Sequence, residues 1–153
     1  MPYLAMIDRL RAFLKQPTAT LILCGYSFRD EHINEVIVQG LQSTQTAIAF
    51  ALLYGKIAEF PQAITLARKR SNLSILAQDG AVISGRESKW PERDAESVPP
   101  DNGTWVQWTP IDPGKENGKL TAEFTLGDFA VFGQFLQELV GAVRQAAAVP
   151  NAQ

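Results

Sequence analysis

The stretch LILCGYSFRDEHIN, residues 21–34, decides the fold. It opens on a short continuous apolar run, bounded by Pro17 before it and Gly25 after it. A run of that length, rich in aliphatic and β-branched residues, predicts a strand over 20–25 that is buried on both faces. Asp30 then stands where a helix N-cap is wanted, and Glu31 follows in the first turn, where the helix dipole favours a carboxylate. Ile33, Val36, Ile37 and Leu41 recur at helical spacing, so 31–43 is predicted as a helix, with Gly40 a weak or close-packing point near its end.

The same alternation continues outward. Upstream, residues 3–15 carry Leu4, Ile7 and Leu14 beside the row Tyr3, Met6, Leu10 and Phe13. That coverage predicts a largely buried amphipathic helix, ended by Pro17. Downstream, 46–53 reads as a second buried strand and 60–70 as a helix with Phe60, Ile64 and Ala67 inward. Arg68, Lys69 and Arg70 suit the negative end of that helix. A third strand is expected at 72–77, extended or restarted at 81–83 beyond a turn at Asp79-Gly80. Strands alternating with helices predict an α/β fold: right-handed βαβ units and a parallel sheet of about three strands with flanking helices.

Residues 84–119 break this pattern. They hold five of the nine prolines and all three tryptophans (Trp90, Trp105 and Trp108), so no regular element is expected beyond a short strand in TWVQW. A loop of that length is functional or irregular. It reads either as a surface insertion pinned by its tryptophans or as a lid or partner-binding arm. Residues 120–126 form an edge strand or an extended lead-in. Asp128 then caps a final helix striped by Phe129, Phe132, Leu136, Leu139 and Val143, and 146–153 reads as a disordered tail.

Composition removes several functions. A chain of 153 residues is one domain by size. One cysteine forms no internal disulfide, and one cysteine plus one histidine make no structural zinc site. Any Ser-His-Asp triad would rest on His32 alone. The formal charge of −2 gives no basic field for nucleic acid or an anionic membrane. The longest apolar run, 46–55, is about half of a membrane span. The scattered charges of the first fourteen residues are not those of a signal peptide, so the cytoplasm is the expected compartment. Neither G-x-G-x-x-G nor the P-loop pattern occurs.

In open α/β sheets, ligands bind outside the carboxyl ends of the strands, and the N–H groups of a following helix favour an anion such as a pyrophosphate. Gly25 lets a ligand approach the backbone. Ser27 offers a hydroxyl to a phosphate or ribose, and Tyr26 and Phe28 either stack on a ring or pack. Asp30 is explained by capping. His32 lies in the first helical turn, where the positive dipole end disfavours an imidazolium.

The block Gly25-Tyr26-Ser27-Phe28-x-Asp30-x-His32-Ile33-Asn34 resembles the late portion of bacterial sirtuin-like domains, found in NAD-hydrolysing antiphage defence proteins. PYLAMIDRLRAFL, NLSILAQDGAVISG and GDFAVFGQFLQEL agree less sharply, so the resemblance spans about residues 2–143. It implies a partial Rossmann-like sheet and NAD as the bound cofactor. Gly25, Tyr26 and Ser27 then occupy the NAD-contacting turn, with Tyr where the family has Thr. Phe28, Asp30 and His32 fall in the same motif, and Asp79, Gly80 and Ala81 match the adenine contact. The turn at Leu53-Tyr54 lacks the family's ribose-binding Asn. The family's Gly-Ala-Gly phosphate loop and its catalytic Asn and His precede the region matched. The resemblance therefore implies a carboxyl-terminal half-domain over 1–145, inactive alone and completed by an N-terminal segment or a partner chain. A competing expectation is a non-catalytic interaction or nucleotide-sensing module working through 84–119. A complete flavodoxin-like domain would want about five strands.

Overall fold

The computed structural model describes residues 2–98, 103, 105–112 and 118–148. The chain order begins α1 (Pro2–Leu14), β1 (Thr20–Cys24), α2 (Glu31–Ser43), β2 (Ile48–Leu52), α3 (Pro61–Arg68) and β3 (Leu73–Ala77). It continues as β4 (Gly80–Ile83), β5 (Arg86–Lys89), β6 (Glu92–Asp94), β7 (Val106–Pro110), β8 (Lys119–Phe124) and α4 (Phe129–Ala148). Single 3-10 turns lie at Ile57–Glu59 and Ala95–Ser97.

The first five strands form one sheet in the order β1-β2-β3-β4-β5. β1, β2 and β3 are parallel, with Ile22 opposite Phe50 and Ala51 opposite Ile75. β4 and β5 add antiparallel hairpin strands. The α/β fold read from the sequence is thus present, and the expected three-stranded parallel unit is its core. A separate antiparallel sheet runs β6-β8-β7.

One face of the main sheet carries the core. Ala49, Ala51, Leu73, Ile75 and Ala77 meet Leu14 of α1, Ile37 and Leu41 of α2, and Ala63 and Ala67 of α3. Small residues on β2 let the helices lie close. At Gly40 a Cβ would stand 2.6 Å from the Leu14 Cβ, so α1 and α2 need a glycine where they cross.

Three expectations change. β1 and β2 are not buried on both faces: Ile22 is 48% exposed, Ile48 39% and Phe50 36%. The second face is covered only toward the carboxyl ends of the strands, where Leu52, Phe124 and Leu126 cluster with Leu76, Trp90 and Phe132. α1 is not largely buried either: Leu14 reaches the core and the helix packs mainly on α2, while its Tyr3, Leu4 and Met6 face solvent. Residues 84–119 are not irregular throughout. They include β5, in a local hairpin with β4, and β6, β7 and the start of β8, which pair over longer sequence distances. Of the expected tail, residues 146–148 continue α4, and 149–153 lie outside the described residues. No helix among the described residues is long and apolar enough to cross a membrane.

Candidate functional site

The carboxyl ends of β1, β2 and β3 lie side by side, and the chain between β8 and α4 crosses them. Gly25, at φ +69°, leaves β1 and donates its N–H to the Leu52 carbonyl at 3.0 Å. The left-handed backbone there suits glycine, and a Cβ added to it would meet the Gly127 carbonyl at 3.9 Å. The Cys24 thiol donates to the Leu126 carbonyl at 3.4 Å. Burial, then the nearby Asp128 charge, pushes that thiol up from its ordinary value, so it is no activated nucleophile.

Beside this junction a cleft of about 310 Å³ opens at the ends of β2 and β3. Tyr54 and Gly55 follow β2, Gln78 follows β3, and Glu123 and Asp128 flank the crossing segment. Gln78 ties the wall together. Its N–H donates to the Gly55 carbonyl at 2.9 Å, and its carbonyl accepts from the Phe124 N–H at 3.1 Å. Its side-chain amide donates to Glu123 Oε2 at 3.2 Å. Glu123 Oε1 accepts from the Thr109 hydroxyl at 3.3 Å. Two carboxylates and no cation line this cleft among the described residues. Such a lining receives hydroxyl or amino donors and repels a phosphate.

The residues singled out in the sequence separate into two groups. At the start of α2, Phe28 is wholly buried and Tyr26 packs on it, ring centroids 4.8 Å apart. The Tyr26 hydroxyl lies 2.9 Å from Asn34 Oδ1 and 3.1 Å from the Asp30 carbonyl. Burial, then the Asp30 charge, pushes this phenol up to about 12, so it stays neutral. Asn34 in turn donates to the Phe28 carbonyl at 2.8 Å. Tyr26 and Phe28 thus hold the loop. Ser27 lines a separate cleft of about 230 Å³ with Arg29, Glu59 and Phe60.

Asp30 caps α2 as read from the sequence, accepting from the His32 and Ile33 N–H groups at 3.0 and 3.2 Å. Those N–H groups are therefore committed to a carboxylate, and a pyrophosphate at this helix end would meet its charge. The His32 side chain is 88% exposed, with Nδ1 3.7 Å from Asp30 Oδ1.

The second group lies at the β3–β4 turn. Asp79 accepts from the Ile57 N–H at 2.8 Å and so fixes the 3-10 turn after β2. Gly80 and Ala81 are buried in β4, and a Cβ on Gly80 would stand 2.6 Å from the Ser88 carbonyl. It is Gln78, one residue before this group, that lines the cleft. Among the described residues no three His, Cys, Asp or Glu side chains come together as a metal site.

The Asp30 cap gives a direct test. The Ile33 N–H bond, ahead of the other contacts, lowers its pKa. A carboxylate lowered on folding stabilises the protein above its unfolded pKa, roughly 3.9. That contribution is lost as pH falls through the lower folded value. Asp30→Ala is therefore expected to lower the melting temperature at pH 7, and the deficit to shrink at acid pH. Asp30→Asn should keep most of the cap at both. Thermal scans across pH check this.

Neither protein-family models nor curated protein sequences give a match to this chain.

Proposed function

We propose that this chain is the NAD-binding portion of a sirtuin-like NAD hydrolase of the bacterial antiphage-defence type, working in the cytoplasm. The reacting groups belong to a further segment or a partner chain that completes the sheet. The carrying observation is the place of β1. It bears the Gly25-Tyr26-Ser27 turn and ends the sheet, with no strand on its outer side among the described residues. Ile22, Ile48 and Phe50 are exposed beside that edge. Parallel strands are ordinarily buried within a sheet, and an open edge with an apolar face favours addition of another strand.

On this reading the dinucleotide crosses the carboxyl ends of β1 to β3. The Gly25 and Ser27 backbone meets its phosphates, away from the carboxylate-capped start of α2. Glu123 and Gln78 take ribose hydroxyls, Tyr26 and Phe28 hold the loop, and His32 contributes hydrogen bonding at the rim. Hydrolysis breaks the bond from ribose C1′ to nicotinamide, which leaves neutral with the bonding electrons; water adds its hydroxyl to C1′ and releases its other proton to solvent, giving ADP-ribose. The chain alone is expected to bind ADP-ribose and to release no nicotinamide from NAD. Chromatography of the reaction mixture tests this. Nicotinamide release by the isolated chain, abolished by His32→Ala, would overturn the assignment of chemistry elsewhere.

A further inference from the structure

A further cleft lies between the two sheets and shares Phe124 with the cleft at the strand ends. Its volume is about 620 Å³, within the range of small-molecule sites. Trp90, Trp105, Trp108 and Phe124 supply its aromatic walls. The Trp90 and Phe124 rings lie 6.1 Å apart at 37°.

The polar side-chain groups lining this cleft are donors. The Trp90 indole N–H is committed to the Ala77 carbonyl at 2.9 Å. The Trp108 Nε1 is buried and has no hydrogen-bond partner among the described residues. Arg93 lines the same cleft, its guanidinium 5.8 Å from the Trp108 ring centroid. It makes no ion pair among the described residues, whereas Arg11, Arg68 and Lys119 each face a carboxylate. No carboxylate lines this cleft among those residues. Trp105, 44% exposed, leaves a large apolar ring open to a guest.

We infer that this cleft binds a planar aromatic anion, its ring held among the tryptophans and its carboxylate or phosphate facing Arg93. Aromatic walls favour a flat guest through stacking, and the Arg93 guanidinium, solvent-exposed at the edge of those walls, favours an anion. The cleft at the strand ends, lined by Glu123 and Asp128, has the opposite preference, so the two sites take different chemical groups. The inference is independent of NAD binding.

The test titrates the whole chain with 1-naphthoate, its neutral counterpart 1-naphthalenemethanol, and cyclohexanecarboxylate. The tryptophan indole N–H signals are followed by NMR. Naphthoate is expected to shift the Trp105 and Trp108 signals saturably, and cyclohexanecarboxylate to shift neither. The neutral aromatic should bind roughly tenfold more weakly, the scale of one charge-assisted hydrogen bond. Arg93→Gln should abolish that preference and Arg93→Lys should retain part of it. Trp105→Ala should weaken both aromatic ligands. An unchanged amide spectrum over β1 to β3 shows that each variant is folded. The inference is overturned if naphthoate gives no saturable shift, if neutral and anionic rings bind equally, or if the preference survives Arg93→Gln.

Discussion

Gly127→Ala is expected to destabilise the chain by about 3 kcal/mol or more. A Cβ at this position would collide with the Leu53 carbonyl and stand 2.6 Å from the Tyr54 nitrogen. Both are backbone atoms at the end of β2, so no rotamer change relieves the clash. The segment joining β8 to α4 would have to lift off the strand ends, opening the Cys24 contact to Leu126 and the wall of the candidate cleft. Urea unfolding measures the loss. Gly133→Ala and Gly141→Ala are the controls. Both lie in α4 with open space around them, so alanine there should stabilise by about 0.5–1 kcal/mol through helix propensity. A neutral Gly127→Ala would mean that this crossing does not anchor the site.

Glu123→Gln is expected to weaken ADP-ribose binding by about 2 kcal/mol, roughly thirtyfold. The carboxylate is half-buried and already oriented by Gln78 and Thr109. A ribose diol would therefore find acceptors that need little rearrangement. Glutamine preserves the shape and one acceptor but removes the charge. ADP-ribose carrying a 2′-phosphate should bind more weakly than ADP-ribose itself, because Glu123 and Asp128 face it with no cation among the described lining residues. The same substitution should narrow that gap. Calorimetry with both ligands checks the pair of effects. Equal binding of both ligands by the unaltered chain would remove Glu123 from the site.

The βαβ core is legible because its signals are local. Asp30 and the spacing of Ile33, Val36, Ile37 and Leu41 give α2 its start and its inward face, and the structure places the helix at Glu31–Ser43. Burial of the second sheet face is not a local property. Ile22 and Phe50 are apolar whether or not anything covers them, so a continuous apolar run does not distinguish a covered strand from a half-covered one. β5 and β6 were hidden for a different reason. Their sequences, RESK and ERD, are exposed throughout. With no apolar alternation to read, only the pairing of β5 with β4 and of β6 with β8 defines them.

The candidate site was legible in part for the same reasons. Gly25 and the cap at Asp30 sit in a contiguous motif, and their geometry follows from it. Gln78 and Glu123 are 45 residues apart. The Phe124 N–H, bonded to the Gln78 carbonyl, brings the end of β8 against the end of β3. The one available signal was Gln78 itself, the first polar residue beyond a buried strand in a fold that binds at strand ends. The tryptophans of 84–119 were visible as a cluster in sequence, but their convergence around one cleft depends on two sheets meeting.

On the proposed function, the carboxyl ends of β1 to β3 form a dinucleotide site. Its most direct test is the backbone NMR spectrum of the isotope-labelled chain during titration with ADP-ribose. Saturable shifts are predicted at Gly25, Ser27, Tyr54, Gly55 and Gln78, with Phe28 and the β4–β5 hairpin moving little. No saturable shift at these positions, or shifts confined to the tryptophan cleft, would contradict a dinucleotide site at these strand ends.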